Sequence, residues 1–135
     1  MSEKINIFNN LAGDYKLNTN QLDLNEFLFF YTPGNLLKYL LVLNESNFDP
    51  SKGTLKTILF LIDIYKAHKD PEILYFVITS IEKFYYELVQ KNIKNINSYF
   101  INKYKILNLI NNMKKFNLDK KNLFFAVNNI LINEK

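Results

Sequence analysis

The sequence predicts an all-α chain: a single compact helical domain of about six to seven helices over residues 1–135, with short N-terminal helices in 1–33 and the main helical core in 34–135. Three observations carry this expectation. Apolar residues recur three and four apart nearly everywhere, and strict apolar–polar alternation is rare. Hydrophobic residues make up 48% and charged residues 22%, enough apolar content for one real core and too much for a disordered chain. Helix breakers and caps fall between the periodic stretches rather than inside them.

Taken in order, Glu3 to Ala12 reads as a short helix with Ile5, Phe8 and Leu11 inward and Gly13 as its stop. Asp14 to Gln21 is a polar loop. Asp23, with Glu26 three residues on, has the pattern of a capping box and opens a short helix carrying Phe27 and Phe30. Thr32-Pro33-Gly34 marks a break. A helix follows from Asn35 to about Asn44, with Leu36, Leu37, Leu40 and Leu41 on one face. Glu45 to Gly53, containing Asp49-Pro50, is a loop.

Thr54 to His68 is the next helix, burying Leu55, Ile58, Leu59, Ile62 and Tyr65. Asp70-Pro71 is the best local signal in the chain. Asp caps orphan N–H groups, and proline lacks only an N–H that the first helical position does not need. The helix it opens runs to about Lys91. Its broad apolar face is Ile73, Leu74, Val77, Ile78, Ile81, Phe84, Tyr85 and Leu88, which predicts a central place in the core. After a link over Asn92–Asn97, Ser98 is the expected cap of a helix to Phe116, with Ile101, Tyr104, Leu107, Ile110 and Met113 inward. Asp119 caps a last helix carrying Leu123, Ala126, Val127, Ile130 and Leu131. The runs Phe27–Tyr31 and Leu123–Val127 also fit strands, but their spacing favours helix.

Composition narrows the chemistry. All 17 basic residues are lysine, and Asn, Ile, Phe and Tyr are abundant; the codons for these residues are A/T-rich, which points to an AT-rich genome. Without arginine there is no arginine finger and no bidentate fork for phosphate. Without cysteine there is no disulfide framework and no thiolate metal site, a composition that suits a cytoplasmic protein. The N-terminal Met1-Ser2-Glu3-Lys4 does not read as a signal peptide. The richest apolar segment, Ile58 to Tyr65, is broken by Asp63 and closed by Lys66, so no membrane span is expected.

The usual catalytic constellations are missing from the pattern. His68 is the single histidine and reads as a helix-end cation. No triad motif surrounds Ser46, Ser51, Ser80 or Ser98. Ser51-Lys52-Gly53-Thr54 has phosphate-loop residues in the wrong order. Glu82 and Glu87 lie five apart, on different helical faces. The expectation is therefore no enzyme, no catalytic residue, no cofactor and no metal.

The net charge of +4 is uneven. Residues 1–70 carry seven lysines and eight acids, whereas residues 91–121 carry eight lysines and one acid, Asp119. Lys91, Lys94, Lys103, Lys105, Lys114, Lys115, Lys120 and Lys121 are the candidate nucleic-acid contacts. Tyr99, Phe100, Tyr104 and Phe116 interleave with them, as in proteins that pair phosphate contacts with base stacking. Such binding to DNA or RNA would be non-specific, and it requires the lysines to converge on one face. The competing use of the same residues is a core formed by Tyr104 and Phe116 with lysines solvating the outside.

Read as an ordered helix series, residues 5–134 resemble the C-terminal part of the delta subunit of bacterial DNA polymerase III, the clamp-loader subunit. Ile5-Asn6-Ile7-Phe8-Asn9-Asn10-Leu11-Ala12-Gly13 resembles the end of that family's lid, and Leu22-Asp23-Leu24-Asn25-Glu26-Phe27 resembles its Ile-Thr-x-Glu-Asp-Val link. Gly34-Asn35-Leu36-Leu37-Lys38-Tyr39-Leu40 is similar to the helix after the link. Thr54–His68 with Asp70-Pro71-Glu72-Ile73-Leu74 is similar to its helix, acidic-Pro turn and next helix. Ile81-Glu82-Lys83-Phe84-Tyr85-Tyr86-Glu87-Leu88 falls where the family has its Arg/Leu-rich segment. Met113-Lys114-Lys115-Phe116-Asn117 resembles its Ala-Arg-Arg-Phe-Ser turn, and Leu123-Phe124-Phe125-Ala126-Val127 its Leu-x-x-Ala-Leu.

The departures are lysines in place of the family's arginines, a shift of two residues in the last helix, and no counterpart of the clamp-binding domain. The resemblance implies a collar-domain-like bundle that serves DNA replication by packing against other clamp-loader subunits. It requires the helix opened by Pro71 to be central and a collar-like rather than an up-and-down arrangement. Phe29, Phe60, Tyr86 and Phe125, aromatic residues outside the main apolar stripes, are the candidate partner contacts. A small helical adaptor or chaperone is the third reading.

Overall fold

A computed structural model describes residues 2–15, 17, 19 and 22–134. Of the loop expected over Asp14–Gln21, residues 16, 18, 20 and 21 lie outside the described residues. The chain is all-α: seven α-helices and no strand among the described residues. It divides into two helical units, Met1–Gly53 and Thr54–Lys135. The third helix packs with the first two, and the first unit ends at Gly53.

The first unit holds α1 (Ser2–Ala12), α2 (Leu24–Phe30) and α3 (Pro33–Glu45), each packed on the other two. Phe8 of α1 is fully buried, but Leu11, expected inward, is exposed. Ile5, Phe8 and Leu11 lie three apart, and each such step turns about 300° around a helix, so the outer two diverge by roughly 120° and only the middle one is centred. Asp23 caps α2, its carboxylate accepting from the Glu26 N–H at 3.2 Å. Lys4 Nζ donates to the Leu28 carbonyl, one of the last four of α2, which lack intrahelical partners. Thr32-Pro33-Gly34 is both the expected break and the start of α3. The Thr32 hydroxyl accepts from Asn35 N–H at 3.2 Å, and Pro33 takes the first turn. Leu36, Tyr39, Leu40 and Leu43 are buried, and Tyr39 stacks on Tyr31 at 5.0 Å and meets Phe27 at 6.0 Å.

The second unit holds α4 (Thr54–His68), α5 (Pro71–Lys91), α6 (Ile96–Phe116) and α7 (Lys120–Ile132). α5 packs between α4 and α6, and α7 closes on both α4 and α6, so the four consecutive helices form a ring. Connections of two to four residues join them, the length of antiparallel helical hairpins. α5 carries the longest buried face. It adds Phe76, Thr79, Ser80 and Lys83 to the expected Ile73, Leu74, Val77, Ile81, Phe84 and Tyr85.

With three glycines in the chain, left-handed helix ends fall to other residues. Asn47 (φ 56°), Lys69 (φ 56°) and Asn117 (φ 51°) close α3, α4 and α6. After α3 the Phe48 N–H returns to the Leu43 carbonyl at 2.9 Å and the Asn47 N–H to Asn44 at 3.0 Å, the paired bonds of a Schellman ending. Gly13 follows the end of α1 without a positive φ; Gly53 is the left-handed glycine, at φ 113°.

α6 departs most from expectation. Ser98 does not cap it. A 3₁₀ turn over Ile93–Asn95 runs directly into the helix at Ile96, and Asn95, in the capping position, makes no side-chain cap. The buried face is Tyr99, Ile106, Ile110 and Met113. Ile101 and Tyr104, expected inward, are 56% and 71% exposed. A string of residues three apart drifts by about 60° per step, whereas Tyr99, Lys103, Ile106, Ile110 and Met113 alternate four and three and stay on one side.

Candidate functional site

The eight candidate lysines do not share a face. Lys91 ends α5 and Lys94 lies in the 3₁₀ turn at the start of α6, while Lys114 and Lys115 lie at its other end with Lys120 and Lys121 just beyond. A 21-residue helix separates the two groups by about 30 Å. Lys103 and Lys105 sit between them, two residues apart and so roughly 160° apart around the axis. Lys103 and Lys120 are half-buried; the other six are exposed.

The aromatic residues interleaved with these lysines divide. Tyr99 is buried and packs on Tyr85, with ring centroids 6.4 Å apart, so it has no face free for a base. Phe100, Tyr104 and Phe116 are exposed, which corrects the alternative that placed Tyr104 and Phe116 in the core. The Lys115 ammonium lies 5.4 Å from the Phe116 ring.

A groove missed by sequence reasoning joins the end of α4 to the start of α7. Lys66, Lys69, Leu118, Asp119, Lys120 and Lys121 line it. Lys66 is paired with Asp63 at 3.4 Å, and the Asp119 carboxylate caps the Lys121 N–H at 3.0 Å. Lys66 and Lys69 suit the C-terminal end of α4 and Asp119 the N-terminal end of α7, whereas Lys120 and Lys121, in the first turn of α7, gain nothing from its dipole.

The aromatic partner candidates are scattered. Phe29, on α2 in the first unit, is exposed and meets Phe30 edge-on at 5.0 Å. In the second unit Phe60 on α4 is half-buried, while Tyr86 on α5 and Phe125 on α7 are exposed. The residues that do come together are on α6. Phe100, Ile101 and Tyr104 are 54%, 56% and 71% exposed and occupy positions i, i+1 and i+4, adjacent on one outward strip. Sequence reasoning missed the strip because it placed two of these three in the core.

The buried polar groups are tied into the packing. Lys83 is nearly inaccessible on α5; its ammonium donates to the Thr54 hydroxyl at 3.2 Å and to the Glu87 carboxylate at 3.1 Å. Asn102 Nδ2 donates to Glu134 Oε1 at 2.9 Å. The Tyr85 hydroxyl and Glu134 Oε2 are buried without meeting hydrogen-bond geometry. Burial, with the Glu134 carboxylate beside it, pushes the Tyr85 phenol well above its ordinary range. Burial also raises Tyr65, whose ring meets Phe124 edge-on at 5.8 Å. In the first unit the Ser51 hydroxyl and N–H, with Lys52 nearby, hold the Asp49 carboxyl below its usual range.

His68 is the exposed last residue of α4. Among the described residues no group of three or more His, Cys, Asp or Glu side chains could hold a metal ion. No helix among them is long and apolar enough to cross a membrane. No family model, curated protein or solved structure matches this chain.

Proposed function

We propose that this chain is a non-enzymatic protein-assembly module of the cytoplasm that works by packing an exposed apolar strip against another protein. The observation that carries the reading is the outward strip Phe100, Ile101 and Tyr104, an aromatic and aliphatic surface on a long helix whose other side is anchored in the core. The absence of catalysis is part of the proposal. Lys83 is nearly inaccessible, its ammonium taken up by the Thr54 hydroxyl and the Glu87 carboxylate, and His68 is an exposed helix end, so this reading gives neither a catalytic part.

The more specific form of the proposal is a collar-type module serving DNA replication within a clamp-loader-like assembly. It rests on the residue strings that resemble the delta subunit. The deep burial of α5 agrees with it, while the ring of α4 to α7 is the contact order of an up-and-down bundle and counts against it, since the resemblance requires a collar-like arrangement. The nucleic-acid reading ranks below the assembly reading because the lysines are spread along about 30 Å of helix and around it.

The test is affinity capture of the full chain and of its Tyr104→Asp variant from the cells that make it. We expect a defined set of proteins whose recovery falls at least tenfold with the variant, about the effect of losing one central aromatic contact. Identical recovery with both chains refutes an assembly role for this face. Other clamp-loader subunits within that set support the collar form, and their absence from it removes that form.

A further inference from the structure

The assembly reading leaves open what kind of surface covers the strip on α6, and the charges around it bear on that question. Lys103 lies on one side of Phe100, and Lys105 lies on the far side of Ile101, each within about 60° around the helix. Lys94 precedes the strip and Lys115 follows on the same outward side about three turns beyond Tyr104. Across Ile96–Phe116 there is no acidic residue to offset them.

Resting on the assembly reading, we propose that the outward face of α6 docks an acidic amphipathic helix: its apolar stripe covers Phe100, Ile101 and Tyr104, and its flanking Asp or Glu side chains meet Lys103 and Lys105.

Charge complementarity selects this occupant. A second copy of α6 would bring lysine against lysine with no carboxylate between them, an arrangement that opposes association. Area points the same way. Three side chains about 60% exposed present on the order of 350 Å², less than half of the roughly 800 Å² per partner in a standard stable interface. That area suits one helix laid along another, read by anchors at i, i+3 and i+4. The strip is also preorganised, because Tyr99, Ile106, Ile110 and Met113 hold the opposite face of α6 in the core.

Single-stranded nucleic acid fits less well. Ile101, which flanks the adjacent Phe100 and Tyr104, offers no stacking surface, and Tyr99, the remaining aromatic of this stretch, is buried, so the run of bases that could stack is short. An anionic membrane surface would need a wider apolar face than one strip of a helix whose other side is already packed.

The test uses the full chain and a labelled synthetic helix of about 20 residues with leucines at i, i+3, i+4 and i+7 and glutamates on both flanks. A twin with the same leucines and lysine flanks is the control. In fluorescence anisotropy we expect the glutamate helix to bind with a Kd on the order of 10 µM and the lysine twin at least tenfold more weakly. Tyr104→Asp, which circular dichroism should show to be folded as the wild type, should weaken the glutamate helix at least tenfold. Salt raised toward 0.5 M should weaken it severalfold.

Equal binding of the two helices, or no binding of the glutamate helix up to about 1 mM, overturns the proposal. So does binding of oligothymidylate or phosphatidylserine vesicles in preference to that helix. The capture experiment separates the two levels. If Tyr104→Asp loses its cellular partners while the glutamate helix fails to bind, the assembly reading stands and the acidic-helix inference falls.

Discussion

Lys83 and Glu87 offer the sharpest energetic test because the two ends of one ion pair differ in exposure. The lysine side chain is 7% exposed and the glutamate 29%, with 3.1 Å between charged atoms. At that distance and an effective dielectric of about 20, the Coulomb attraction is roughly 5 kcal/mol, and removing the ammonium from water offsets most of it. The spacing is i, i+4 with lysine first, the weaker orientation on an exposed helix, so burial rather than helix position sets the effect.

Replacing Glu87 with alanine strands a buried ammonium without its carboxylate and should cost about 2–3 kcal/mol, somewhat below the range for fully buried pairs because water reaches Glu87. Replacing Lys83 with methionine keeps the stem volume and leaves a carboxylate that can hydrate, and it should change stability by no more than about 1 kcal/mol. Urea unfolding followed by circular dichroism reads the difference. With a slope near 2 kcal/mol/M, Glu87→Ala lowers the midpoint by about 1–1.5 M and Lys83→Met by less than about 0.5 M. Lys83→Met with Glu87→Ala should be more stable than Glu87→Ala alone. Lys83→Met costing as much as Glu87→Ala, or no recovery in the double variant, would refute the reasoning.

Three further outcomes follow from single residues. Asp70→Ala removes the carboxylate that accepts the Glu72 N–H at 2.9 Å and should cost about 1 kcal/mol in the same unfolding experiment, while Asp70→Asn should cost less. Lys69→Gly relieves a left-handed lysine at φ 56° and should raise stability by up to about 1 kcal/mol; a clear loss would show that the Lys69 side chain matters more than its backbone strain. The Tyr85 phenol stays protonated in the folded chain after it would ionise in the unfolded one, so its contribution is complete below a pH of about 10 and is lost as pH rises above that, at up to about 1.4 kcal/mol per pH unit. Tyr85→Phe should flatten that alkaline decline, and an unchanged pH profile between 10 and 12 would show that the phenol is not held neutral.

The helices with strong boundary chemistry were legible in the sequence, and the face with weak chemistry was not. α4 and α5 begin where the sequence places them because Gly53 and the Asp70-Pro71 cap supply a backbone conformation and a cap that few residues offer, while the left-handed turn at Lys69 carries no such signal in its residue type. Asp23 and Asp119 act as caps for the same reason. Ser98 had the right side chain and no helix end to cap, since the preceding 3₁₀ turn had already started α6. The groove at Lys66, Lys69, Lys120 and Lys121 was out of reach because it joins residues more than 50 apart in sequence through packing of α4 on α7.

The misplacement of the α6 face has a cause that also produces the candidate site. A lysine stem carries four methylenes and can line an apolar surface while its ammonium reaches water or a partner. Lys83 is buried in this chain, and Lys103 occupies a half-buried position in line with Tyr99, Ile106, Ile110 and Met113. A pattern that counts every lysine as surface must fill those inward slots with other residues, and on α6 it chose Ile101 and Tyr104. Once Lys103 takes the inward-flanking slot, those two residues are forced outward beside Phe100, with Lys105 on their other margin. The same substitution of a lysine stem for an apolar side chain therefore hides the true core stripe and leaves an apolar strip bordered by positive charge. That strip is the surface to which a complementary, acid-flanked helix would bind.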